Sequence, residues 1–208
     1  MFVSILYYLS VFSALVPLYA GIRRFKALDK AMKLLFALLC FAAVLEVLGI
    51  FYLHQKKSSV PLFFIYTLAE GFFLVPMYYL KGETKAFRLS VVFGFSCFVV
   101  LTVFKLIYQW SNEVLNTAIA LQVLFYSAVV LYRMQSGVGK KETMSSSFFW
   151  INLSVFLYYG GCLFFLMFEN TVRYAPEFLR HFMMVVHMLI NITYNLLLGI
   201  GLWKISRK

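Results

Sequence analysis

Acidic side chains are scarce in this chain. Eight Asp and Glu stand against nineteen Lys and Arg, and charged residues of both signs make up only 13% of its 208 residues. Soluble domains carry about 25%, so a water-soluble globule is excluded. Histidine and cysteine are just as thin, with three of each. The histidines are His54, His181 and His187, too few for a histidine-rich zinc centre, and the spacing of six between the last two does not put two ligands on one helical face. Cys40, Cys97 and Cys162 all fall inside apolar runs, where a thiol packs as a small apolar group, so three buried cysteines and no disulfide framework are expected. Neither a phosphate-cradling glycine loop nor a nucleophile elbow is present. No catalytic residue, metal or cofactor is therefore expected, and enzymatic activity has no residue set to carry it.

What the chain has instead is apolar length. It is 63% hydrophobic, with a mean hydropathy of +0.86. A bilayer core of about 30 Å needs a helix of about 20 apolar residues. Seven runs qualify: Phe2–Ile22, Lys33–Leu53, Val60–Leu80, Phe87–Tyr108, Leu115–Met134, Phe148–Phe168 and Phe182–Trp203. The expected fold is thus all-α, a single integral membrane domain over residues 1–208 with seven transmembrane helices. The first run is expected to stay in the protein, because no positive charge precedes it and "LYA" before Gly21 has Leu18 where a cleavage site wants a small residue. "NLS" at Asn152 and "NIT" at Asn191 match the glycosylation pattern but lie within runs.

The excess of positive charge gives an orientation. Arg23, Arg24, Lys26, Lys30, Lys33, Lys81, Lys85, Arg88, Arg133, Lys140, Lys141, Lys204, Arg207 and Lys208 fall on one side, fourteen in all. The other side has Lys56, Lys57, Arg173 and Arg180, with Lys105 near the end of the fourth run. Lys and Arg concentrate in cytoplasmic loops, which predicts an outside N-terminus, a cytoplasmic C-terminus and a multi-pass protein of the cell (inner or plasma) membrane. The same charges suit contact with anionic headgroups of the lipid bilayer, and nucleic acid is not an expected partner.

An internal repeat is suggested by "FSALVPLY" (Phe12–Tyr19) in the first run and "YSAVVLY" (Tyr126–Tyr132) in the fifth, each followed by a basic loop. Runs three and seven correspond loosely, with Tyr66 and Glu70 four apart in one and His187 and Asn191 four apart in the other. A single odd fourth helix would then separate two parallel three-helix units. This three-plus-one-plus-three plan, with the outside N-terminus and the length, resembles the SWEET, PQ-loop and KDEL-receptor type of seven-helix membrane protein. The Pro-Gln pair that marks the PQ-loop branch does not occur here. Sugar-carrying members have a polar residue, typically Asn, in the third and seventh helices. Asn191 matches in the seventh, whereas the third offers Glu70. Retinal proteins need a lysine midway along the last helix, and Lys204 lies at its end.

Polar residues inside the runs are the functional candidates. An ionisable residue within a span costs at least about 2.5–3.5 kcal/mol on insertion scales. Glu70, at the middle of the third run, and Glu46, past the middle of the second, are candidates for a proton-linked or switch role. Neither has a basic residue at helical spacing in its own run, so each must be paired across helices, hydrated or protonated. Gly71 leaves room beside Glu70 and Pro76 permits a kink. In "HMLINITYNLLLGIGLW", His187, Asn191 and Asn195 form a slowly precessing stripe. Together with Gln122 and Glu70 they make a candidate substrate-binding set of five residues on three helices. Tyr66, Tyr126, Tyr158, Tyr159 and Tyr194, with Tyr7 and Tyr8, could add hydroxyls. Trp110, Trp150 and Trp203 sit at run ends, as interfacial belts require. "YYGG" (158–161) and "GIG" (199–201) offer surface for close helix approach.

Three functions fit: a small-solute transporter or permease; a seven-helix sensor or receptor that binds a small-molecule ligand and signals through a membrane or cytoplasmic protein partner; or a non-catalytic assembly subunit whose polar groups only join helices.

Overall fold

The structure, a computed structural model, describes residues 2–55, 60–108, 112–136, 146–167 and 174–205. Within them the chain is helical throughout: α1 (Phe2–Ser13), α2 (Leu15–Arg24) with a 3-10 turn at Phe25–Ala27, α3 (Lys30–His54), α4 (Val60–Lys81), α5 (Lys85–Tyr108), α6 (Asn112–Ser136), α7 (Ser147–Met167) and α8 (Glu177–Trp203). Six stretches are long and apolar enough to cross a membrane: Ile5–Ala27, Lys30–Tyr52, Pro61–Lys81, Lys85–Tyr108, Asn112–Ser136 and Glu177–Trp203. The sixth expected span falls on α7, which is not among those six: its Ser147–Leu163 forms a shorter apolar helix; Phe168 lies outside the described residues. So do Lys56, Lys57, Trp110, Lys140, Lys141, Arg173, Arg207 and Lys208.

Helix boundaries follow local chemistry. Asp29 caps α3, its Oδ1 accepting from the Met32 N–H at 2.8 Å, and Thr84 caps α5, its Oγ1 accepting from the Phe87 N–H at 3.3 Å. Pro176 precedes α8, whose first turn carries Glu177 at the positive end of the helix dipole. The first span is broken between α1 and α2 at Ala14. Pro17 explains the break: it has no N–H to offer the Ser13 carbonyl four residues back. By contrast α4 runs through Pro76 without interruption.

The chain forms two compact units, Leu28–Ile119 and Met1–Ala27 with Ala120–Lys208. In the first, α3 packs along α4, with Leu35 and Leu38 buried on α3 and Leu74, Val75, Met77 and Tyr78 buried on α4. Asp29 Oδ2 also accepts from Lys81 Nζ at 2.8 Å, tying the start of α3 to the end of α4. Burial raises the Asp29 carboxyl, but hydrogen bonds from Lys81 and Met32 and the lysine charge outweigh it and hold the group below its ordinary value. α5 rests on α4, where the Phe98 ring fills the space that a side chain at Gly71 would need. Its other side carries Leu89 and Phe93, about 70% and 71% exposed. Large apolar groups facing outward in rows suit hydrocarbon chains better than water.

In the second unit α8 is central, with α7 on one side and α1 and α2 on another. The "GIG" glycines face different partners: a Cβ at Gly199 would meet Val16 of α2 at 2.6 Å, and one at Gly201 would meet Ile151 of α7 at 2.5 Å. "YYGG" behaves alike, with Gly160 toward Leu124 of α6 and Gly161 toward Ile190 of α8. Of the cysteines, only Cys162 is buried; Cys40 and Cys97 are exposed on the outer surfaces of α3 and α5. That corrects the expectation of three buried thiols. A thiol is small and apolar enough to face lipid as readily as protein.

Candidate functional site

Two polar clusters lie inside the helices, one in each unit. In the Leu28–Ile119 unit, Thr67 Oγ1 donates to Asn116 Oδ1 at 2.6 Å, joining α4 to the start of α6. The hydroxyl also lies 3.0 Å from the Phe63 carbonyl. Glu70 sits one turn along the same face of α4 and is only 6% exposed. It is held by contacts of its own rather than left bare. Glu46 of α3 is half-buried, and it makes no hydrogen bond or ion pair among the described residues.

In the other unit the stripe on α8 is spent on two neighbours. Asn191 Nδ2 donates to Ser10 Oγ at 2.9 Å, and Asn195 Nδ2 donates to Ser13 Oγ at 2.8 Å. Ser13 Oγ in turn donates to the Ser10 carbonyl at 2.6 Å. The result is a buried ladder between α8 and α1, with Asn195 only 4% exposed. His187, one turn earlier, has precessed to face α7. Its Nδ1 lies 3.5 Å from Cys162 Sγ, with the Tyr158 and Phe165 rings 6.5 Å and 5.9 Å away. Tyr158 also meets Tyr194, with ring centroids 4.6 Å apart and planes tilted by 35°. Gln122 Nε2 donates to Tyr126 Oη at 2.9 Å within α6. Gln122, His187, Asn191 and Asn195 thus each engage a different partner.

Five partners escaped the sequence reading: Ser10, Ser13, Thr67, Asn116 and Cys162. Ser10 and Ser13 lie three apart, so both reach the same neighbouring helix, but the sequence alone carries no signal that marks them. Asn152 donates across helices to the Ser127 carbonyl of α6 at 2.9 Å. Every buried side-chain nitrogen and oxygen among the described residues has a partner. No group of three or more His, Cys, Asp and Glu among them could hold a metal ion.

Comparison with family models, curated proteins and solved structures finds no significant match to this chain.

Proposed function

We propose that the chain is a multi-pass membrane protein, N-terminus outside and C-terminus cytoplasmic, that acts as a small-solute permease with Glu70 as its proton-linked centre. The observation that carries this reading is the placement of Glu70: a carboxyl 6% exposed, midway along a helix of membrane length, one turn from the Thr67–Asn116 bond. A leucine there would spare the cost of about 2.5–3.5 kcal/mol for an ionisable group at depth. Such a group repays that cost when it takes up and releases a proton during a cycle. Gln122, His187, Asn191 and Asn195 belong to the other unit; each is proposed as a solute contact within that unit through atoms not used in the bonds above, and Glu46 as a second switch residue in the same unit as Glu70.

The serine–asparagine ladder favours a second reading for the α1–α8 seam. Both amides are engaged in helix-to-helix bonds, as an assembly role requires.

Reconstitution of the full chain into liposomes with an entrapped pH dye separates these functions. Sugars, amino acids and small organic acids are added in turn. A permease moves protons with one class of solute, and Glu70→Gln abolishes that movement while leaving the protein folded. Solute binding without flux would make it a receptor. Neither binding nor flux, with Glu70→Gln altering only stability, would leave the assembly role.

A further inference from the structure

We propose that the groove between α2 and α8 is a seat for one anionic glycerophospholipid, its phosphate held by Arg23 and Arg24 and an acyl chain lying along Leu196 and Ile200. The proposal depends on membrane embedding but not on the permease reading.

The groove has a volume of about 580 Å³ and is lined almost wholly by apolar side chains, within the range of about 300–1,000 Å³ typical of small-ligand sites. Its walls are Leu15, Val16 and Tyr19 on α2 and Leu196, Ile200 and Trp203 on α8. Gly199 and Ala20 keep the floor low, because neither projects a side chain beyond Cβ. A groove like this facing hydrocarbon accepts a chain rather than a polar solute.

One end has a different character. Tyr19 and Trp203 stack at 6.2 Å with their planes 17° apart. The Arg23 guanidinium lies 5.4 Å over the Tyr19 ring and its Nε donates to Tyr19 Oη at 3.1 Å. The Arg24 guanidinium lies 5.4 Å over the Trp203 ring. Beside them Lys204 Nζ lies 4.9 Å over the Trp150 ring. The aromatic faces hold both guanidinium planes in place, yet neither arginine makes an ion pair among the described residues. Aromatic contact leaves most of their N–H donors unspent, and a guanidinium fork matches a phosphate in two-point geometry. An apolar trough ending in two oriented, uncompensated guanidinium groups is complementary to an anionic lipid along its whole length. A zwitterionic lipid fits the trough but brings a choline or amine cation to the arginines.

The test uses tryptophan quenching. In the full chain carrying Trp110→Phe and Trp150→Phe, Trp203 is the sole tryptophan. The protein is reconstituted in phosphatidylcholine vesicles containing bromoacyl phosphatidylglycerol or bromoacyl phosphatidylcholine. Each basic residue near an anionic lipid is worth about a factor of five, so the phosphatidylglycerol should quench Trp203 at a mole fraction about 25-fold lower. Arg23→Gln with Arg24→Gln should erase that preference. Lys26→Gln with Lys30→Gln, which removes the same charge outside the groove, should keep it. Leu196→Phe, which fills the trough without touching charge, should weaken quenching by either lipid. Equal quenching by both lipids would overturn the proposal. So would equal loss of preference in the lysine control, since the attraction would then be diffuse, or unchanged quenching in Leu196→Phe, since no chain would then occupy the trough.

Discussion

A serine hydroxyl can accept and donate at once, and Ser13 does both: it accepts from Asn195 and passes its own hydrogen to the Ser10 carbonyl. Removing Asn195 therefore leaves Ser13 its own bond to the Ser10 carbonyl, whereas removing Ser13 takes away the bond of a buried amide nitrogen on Asn195. Hydrogen bonds between membrane helices average about 0.6 kcal/mol in double-mutant cycles. A cycle of Ser13→Ala and Asn195→Leu, measured by unfolding in mixed micelles, should return a coupling near that value. A coupling indistinguishable from zero would mean that the ladder does not hold α1 to α8. Such residues were hard to find in the sequence for a physical reason. Serines and threonines in membrane helices usually bond their own backbone, as Ser90, Ser96, Thr102 and Thr193 do here. Nothing in their spacing distinguishes these from Ser10 and Ser13, which reach another helix. The asparagines were legible because their cost in hydrocarbon marks them.

At the scale of elements, the join between α3 and α4 rests on one carboxylate with two tasks. Asp29 caps α3 with one oxygen and pairs with Lys81 through the other. Asp29→Asn keeps the capping chemistry and loses the ion pair. This pair is solvent-accessible, so the loss should be at most about 1 kcal/mol. Asp29→Ala loses the cap as well and should cost about 1 kcal/mol more. The carboxyl lies below its ordinary value when folded. Its contribution is therefore complete above the unfolded value of about 3.9 and fades as pH falls through the lower folded value. A pH series of unfolding midpoints should show this acid loss in the native chain and not in Asp29→Asn. The second run is expected from Lys33, three residues inside α3, although Asp before an apolar helix is a start signal and Asp29 stands at that place. The break at Ala14 was not read, although Pro17 was in view.

For the whole molecule, hydropathy wrote the fold and hid the faces. Six membrane-length helices and the absence of strands among the described residues follow from long apolar runs. Those runs are apolar all round, however, so no periodicity tells which side meets protein. That is why Cys40 and Cys97 were expected inside and are found outside. Their position gives a test of membrane embedding. In native membranes a charged maleimide should leave both thiols unmodified, because it does not enter hydrocarbon and a thiol there does not ionise, and SDS should make all three cysteines reactive. Labelling of Cys40 and Cys97 by the charged reagent without detergent would place those helix faces in water. The candidate site was legible only as single costly residues, Glu70 above all. Its companions Thr67 and Asn116 come from different helices, and only folding brings them together.

The two glycines of "GIG" carry a consequence for genetics. They face different neighbours, so second-site suppressors of their loss should fall into separate classes. At Gly199 the nearest obstacle to a methyl group is the end of the Val16 side chain, with backbone no closer than 3.6 Å. Val16→Ala should therefore restore Gly199→Ala fully. At Gly201 the Ile151 side chain is joined by the Ile151 nitrogen and the Ser147 carbonyl, both 3.0 Å away. Ile151→Ala should rescue Gly201→Ala only in part, because no side-chain trimming moves a backbone. Neither suppressor should help the other glycine, and selection for revertants of Gly201→Ala should return mostly the glycine codon itself.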